Sequence, residues 1–160
     1  SFSAANERMR TIFDLLRMKA AAAGVVLKPN YLDFATYAKE ADAGKLQMGW
    51  EGYTADYPDG ETMVQFLHSR SIGGGWNHPM FGHAAYDRAV DALRKSADAA
   101  QRTQLLRQID AIVRDEVPLV PVYQTMIVRL TQPWVSNYRP RTFGSWLEYV
   151  NVDASKKKAR

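Results

Sequence analysis

Between Gly49 and Asp59 the chain reads Gly49-Trp50-Glu51-Gly52-Tyr53-Thr54-Ala55-Asp56-Tyr57-Pro58-Asp59, which places Asp56 and Asp59 among the rings of Trp50, Tyr53 and Tyr57. Two neighbouring carboxylates can do general acid–base work if a substrate lies between them. They can also mark a ligand site that does no chemistry. Leu46, Met48 and Trp50 alternate with Gln47, Gly49 and Glu51, a period of two that predicts a strand running into this stretch. Pro58 has no N–H to donate and ends any ladder. Asp59 is placed to cap a helix built from Glu61, Thr62, Met63, Val64, Phe66 and Leu67. Asp56 then falls just past the end of a strand, where open α/β sheets hold their ligands. A purely local reading stands beside this one. Turns favour Asp and Pro for their own reasons, and the rings would then be packing.

Other chemistry is poorly supplied. Nucleophilic catalysis needs a nucleophile with a base in reach, and the chain has no Cys and no G-x-S-x-G elbow. The three histidines, His68, His78 and His83, are spaced by ten and five residues, which does not put them on one helical face. They read as packing or surface residues, and no metal site is expected. Gly73-Gly74-Gly75 lacks a preceding strand, a G-x-G-x-x-G pattern and a Lys-Ser/Thr pair, so it reads as a loop and not as a phosphate cradle. No enzyme and no cofactor is expected.

The elements that must hold Asp56 alternate. Residues 6–23 form a predicted helix with Met9, Ile12, Phe13, Leu16 and Ala20 in a stripe and Gly24 as its stop. Val25-Val26-Leu27 is a predicted strand. Asp33 caps a second helix with Phe34, Tyr37, Ala38 and Ala41 on one face and Gly44 at its end. After the strand at 46–50, a helix at roughly 83–96 turns Tyr86, Ala89, Val90 and Leu93 inward and pairs Asp91 with Lys95. Asp98-x-x-Gln101 resembles a capping box opening a long helix with Leu105, Ile109, Ile112, Val113 and Val117. Pro118 to Tyr123 then predicts an edge strand, Met126–Leu130 another, and Trp134, Tyr138, Phe143, Trp146 and Tyr149 stud a loop-rich tail. The alternation of helix and strand is that of an α/β sheet with helices packed on it. No strand precedes the first helix, as a βαβ unit would need, which points to a longer parent protein.

With 160 residues and a net charge of +4, the chain has the size of one domain or one lobe. Lys156, Lys157, Lys158 and Arg160, set against Asp153, account for three of those charges, leaving +1 on residues 1–150. The basic tail is a solvated terminus, and no nucleic-acid partner is expected. No run of about 18 apolar residues exists to span a membrane.

Together these stretches resemble one family. Trp50 to Asp59 is similar to the G-W-x-A-D-Y-P-D-P signature of the extracytoplasmic solute-binding proteins of peptide and nickel ABC transporters (family 5). Asn77, Phe81, Tyr86 and Asp87 fit its N-Y-x-G-Y-x-N-P-E-Y-D pattern at the same spacing. Leu105 to Val117 with Pro118-Leu119-Val120-Pro121-Val122-Tyr123 resembles its helix and E-A-P-V-I-P-L-Y run, and Pro133-Trp134-Val135 with Tyr138-Arg139-Pro140 its P-W-V-x-G-Y-R-P.

The resemblance implies the C-terminal lobe portion of a two-lobed periplasmic-binding-protein fold (class II, cluster C). Residues 1–117 would be the second-lobe α/β portion, 118–154 the segment returning to the first lobe, and 155–160 the basic tail. The implied function is capture of a peptide or other small solute between two lobes, outside the cytoplasm, for delivery to an ABC-transporter permease. The N-terminal part of the same protein would complete the cleft. A ligand sensor of a transcription regulator shares this fold, and a small α/β enzyme is a further alternative; nickel chelates, sugars and haem are alternative ligands. Asp56 matches the carboxylate that pairs with a peptide's α-amino group, Tyr53 stands where the family usually has Trp, Trp50 and Tyr57 flank them, and Asn77 lies in a loop that lines the cleft. Gly60 replaces the usual Pro after Asp59.

Overall fold

The computed structural model describes residues 2–3, 7–141, 143–145 and 147–157. They fall into two compact units. The first joins Ser1–Ala55 to Asp59–Leu119, and the second joins Asp56–Pro58 to Val120–Arg160.

The first unit opens with a short βαβ arrangement. Strand β1 (Phe2–Ser3) leads into helix α1 (Glu7–Ala22) and then into β2 (Tyr31–Leu32), which pairs parallel to β1 with Phe2 opposite Tyr31. A strand therefore does precede the first helix, against expectation. Two residues are too few to show a period of two, so the pattern could not reveal it. Phe13 of α1 is buried, its ring meeting Tyr31 edge-on at 6.5 Å. Helix α2 (Phe34–Asp42) starts as predicted, with Asp33 Oδ1 accepting from the Thr36 N–H at 3.0 Å. Its buried face is Tyr37 and Ala41, while Phe34 is exposed.

The remainder of the unit is helical. Helix α3 (Glu61–Val64) runs into a 3-10 turn at Gln65–Leu67, and after a loop come α4 (Ala84–Lys95) and α5 (Ala99–Glu116). Tyr86, Ala89, Val90 and Leu93 of α4, as predicted, close on Leu67 and Ile109 to form the core. The buried Tyr86 hydroxyl donates to the Val64 carbonyl at 2.6 Å, so the ring enters the core with its polar end satisfied. Asp98 caps α5 through its bond from the Gln101 N–H (2.7 Å), but Gln101 does not return the favour. Its side chain accepts from Ser96 Oγ instead, so only half the capping box forms. Asp91 bonds Arg70 in place of the expected Lys95.

The strands expected at 25–27, 46–50, 118–123 and 126–130 do not form. β-Branched and apolar residues favour a pleated surface only where a neighbour supplies the ladder, and among the described residues the ladders are two-residue pairs. In the second unit, β3 (Val135–Ser136) and β4 (Asn151–Val152) pair antiparallel, and the Asp153 N–H adds a bond to the Trp134 carbonyl at 2.9 Å. Of the aromatic tail, Trp134, Tyr138 and Phe143 are half-buried, Tyr149 is exposed under Arg141, and Trp146 lies outside the described residues. Lys158 and Arg160 of the basic tail also lie outside them. No described helix is long and apolar enough to cross a membrane.

Candidate functional site

Within the first unit, the backbone at Trp50–Glu51 is held from the α2 side by a polar cluster. Tyr37 is 4% exposed, and its hydroxyl shares one proton between the Trp50 carbonyl (3.0 Å) and Glu51 Oε1 (2.8 Å). Burial, and then the Glu51 carboxylate, push that hydroxyl well above the ordinary phenol range, so it stays a donor. Glu51 Oε1 also meets His78 Nδ1 at 2.7 Å, while His78 Nε2 lies 3.3 Å from Asp42 Oδ1 at the end of α2. The approach of Tyr37 depends on Gly49: a Cβ at that position would stand 2.6 Å from the phenolic oxygen.

Downstream, Tyr53 is anchored inward. Its hydroxyl donates to the Thr62 carbonyl at 2.7 Å, and its ring tilts over Phe66 at 4.7 Å between centroids. Asp59 Oδ1 accepts from the Glu61 N–H (2.8 Å) and from Arg102 Nη2 (2.5 Å). Its carboxyl is held below the usual range, by the Glu61 N–H first and then, against some desolvation, by Arg102. Asp59 is thus the cap the sequence predicts, and it is tied to α5 as well.

The loop after α3 is built on Asn77, which is 1% exposed. Its Nδ2 lies within 2.8–3.1 Å of the carbonyls of Leu67, His68 and Phe81, and its Oδ1 accepts from the Phe81 N–H at 2.9 Å. Every donor and acceptor of that amide is used inside the loop. Asn77 therefore holds the loop's shape from within and does not present its side chain on the surface. The glycine run beside it serves the same fold. Gly73 and Gly74 take positive φ, and a Cβ on Gly75 would come within 2.7 Å of the Ser71 backbone.

The five expected site residues are thus divided. Trp50 is half-buried beside the Tyr37 cluster, and Tyr53 and Asn77 are anchored by their own bonds, all in the first unit. Asp56 and Tyr57 are exposed and belong to the second unit. The Tyr37–Glu51–His78–Asp42 cluster was not foreseen from sequence: its members lie 14 to 36 positions apart between successive hydrogen-bonded partners and leave no periodic trace, and Gly49 is its one local sign. The other histidines are capping residues. His68 Nδ1 accepts from the Arg70 N–H at 3.1 Å, and His83 Nδ1 accepts from the Tyr86 N–H at 3.2 Å to open α4. Among the described residues no group of His, Asp and Glu is arranged to hold a metal ion.

No family model matches the chain. Curated relatives do. Di/tripeptide-binding protein 1 of Pseudomonas aeruginosa is 23% identical over 139 residues, covering 87% of this chain and 26% of the relative. Heme-binding protein A of Haemophilus influenzae is 26% identical over 151 residues, covering 94% and 28%. The periplasmic oligopeptide-binding protein OppA of Escherichia coli is 27% identical over 115 residues, covering 72% and 21%. Among solved structures, the Escherichia coli murein tripeptide binding protein MppA superposes with a TM-score of 0.79 at 21% identity, over 94% of this chain and 30% of that one. Haemophilus influenzae OppA in complex with the peptide RPPGFSPFR gives 0.77 at 21% identity with the same coverage. The resemblance to the family 5 solute-binding proteins is borne out by these relatives, and the fold is that of part of a periplasmic peptide-binding protein. The chain spans about a quarter of the length of the curated relatives. Those relatives are binding proteins, not enzymes.

Proposed function

We propose that this chain is part of the substrate-binding component of an ABC transporter, working outside the cytoplasm, which encloses a peptide between two lobes and hands it to a membrane permease. The observation that carries this reading is that relatives named for di/tripeptides and oligopeptides align along 72–87% of the chain, across the stretch with Asp56. Residues 1–117 supply second-lobe surface, 118–154 lead back to the first lobe, and the N-terminal part of the parent protein closes the cleft by hinge motion. The protein performs no chemistry on its ligand.

Asp56 is the group that meets the peptide's α-amino end. The residue is exposed, and enclosure between lobes would desolvate and strengthen its pairing with an ammonium. Trp50 and Tyr57 supply aromatic wall, and Tyr53 and Asn77 act by fixing the backbone on either side. Removing one partner of an enclosed charge pair typically costs about 2–5 kcal/mol. Asp56→Ala in the full-length protein should therefore weaken tri-alanine binding by about tenfold or more in calorimetry, with thermal unfolding unchanged. Unchanged affinity would remove Asp56 from the site. The 160-residue chain alone should bind tri-alanine poorly, because half the cleft is supplied elsewhere; tight binding by it would reject the two-lobe reading.

A further inference from the structure

The Tyr37–Glu51–His78–Asp42 cluster joins three separate parts of the first unit: helix α2, the backbone at Trp50–Glu51, and the loop organised by Asn77. We propose that His78 is a positioning residue for the peptide site, acting as a proton-operated clasp on the segment that leads to Asp56. In its functional aspect the proposal rests on the peptide-capture reading above.

A neutral imidazole carries one N–H, whereas the ring of His78 has a carboxylate oxygen at each nitrogen, Glu51 at 2.7 Å and Asp42 at 3.3 Å. Neutral His78 can therefore donate to only one of them, and its other nitrogen turns a lone pair towards the second carboxylate. The imidazolium donates to both. The groups facing the ring are Asp42 from α2, Glu51 from the segment before the site, and the ring of Trp76 at 5.9 Å from its own loop. Tyr37 reaches it through Glu51 as a donor and adds no competing charge. The His78 side chain is 15% exposed, while those of Glu51 and Asp42 are 35% and 46% exposed, so water replaces part of the missing bond on the carboxylate side.

The contrast with the other histidines gives the cluster its direction. His68 and His83 use unprotonated Nδ1 atoms to accept backbone N–H bonds, and a proton there would break each cap. His68 also has carboxylates 3.5 Å from its ring nitrogens, Asp87 at Nδ1 and Asp91 at Nε2, but His78 caps no helix or turn, so protonation there adds a bond without breaking a cap. Because Tyr37 binds both the Trp50 carbonyl and Glu51, tightening Glu51 against His78 also fixes the backbone at 50–51. Protonation of the ring should hold this segment firmly, and loss of that proton should loosen it.

Heteronuclear NMR of the 15N-labelled chain tests the clasp without any ligand. The amide signals of Trp50 and Glu51 should shift along the same titration curve as the His78 ring, and in His78→Gln they should stay flat. Glu51→Gln, a milder change at the other end of the bond, should also uncouple them. Amides of Leu93 and Ile109 report whether each variant is folded. Amides at 50–51 that ignore pH, or that titrate identically in His78→Gln, would overturn the proposal. Calorimetry with tri-alanine on the full-length protein at pH 5.5 and 7.0, where the peptide's amino group stays protonated, tests the bearing on capture. Affinity about threefold higher at pH 5.5, and lost in His78→Gln, is expected. Equal affinity at both pH values would reject the positioning role, whereas no binding at either would reject peptide capture and leave the clasp standing.

Discussion

At the residue scale, the stretch from Trp50 to Asp59 carries a carboxylate that holds the fold, Asp59. Asp56 and Asp59 look equivalent in sequence, three positions apart across Pro58. Asp59 is bound by the Glu61 N–H and Arg102, and its carboxyl is held below the ordinary value of 3.8. A carboxylate whose folded value is depressed stabilises the fold fully above its unfolded value, and that stability is lost as pH falls through the folded value. Asn at 59 could still accept from the Glu61 N–H but would surrender the charge facing Arg102. Asp59→Asn should thus lower the unfolding temperature at neutral pH and leave a shallower decline below about pH 4. Thermal melts at pH 7, 4 and 2.5 check this. Equal slopes in both proteins would mean that the Arg102 contact contributes nothing.

At the element scale, the junction of α4 and α5 is fastened by Arg102. One guanidinium nitrogen donates to the carbonyls of Leu93 (2.6 Å) and Ser96 (2.8 Å) at the end of α4, and the other to Asp59 before α3. The planar fork reaches two directions at once, which a single ammonium cannot do. Arg102→Lys should cost about 2 kcal/mol in urea unfolding, by losing one or two bonds to half-buried acceptors. Combined with Asp59→Asn it should cost less than the two separate effects added, since the variants share one contact. Much of this element layer was legible beforehand. Helices α1, α2, α4 and α5 follow from apolar spacing and from Asp33 and Asp98 as caps, because helix signals are local. The ties between helices were hidden. Nothing in the spacing of Arg102 and Asp59, 43 positions apart, or of His78 and Glu51 announces a contact. The strands failed for the opposite reason: the pattern at 46–50 is genuine period-two alternation, but a ladder is a property of two segments, and a sequence motif describes one.

At the scale of the whole molecule, the apolar segments that do not become strands are the strongest sign of what the chain is shaped to meet. Val120, Met126, Ile127, Val128 and Leu130 are each 70% exposed or more, in one short run of the second unit. Met126-Ile127-Val128 shows no polar alternation, the pattern of a strand covered on both faces, and Arg129 interrupts it before Leu130. Left open, such a segment offers apolar surface and backbone groups to any neighbouring chain. The proposed return to the first lobe gives this run its natural cover. The isolated 160 residues should accordingly self-associate with rising concentration in sedimentation velocity. Replacing Ile127 and Leu130 by Asp should keep them monomeric without lowering the melting temperature, since neither side chain is packed in this unit. The same two substitutions in the full-length protein should destabilise it by about 2–5 kcal/mol, because there both charges would be buried without partners. A full-length protein that tolerates them would show that this run stays open to solvent, and the return to a first lobe would have to be drawn elsewhere in the chain.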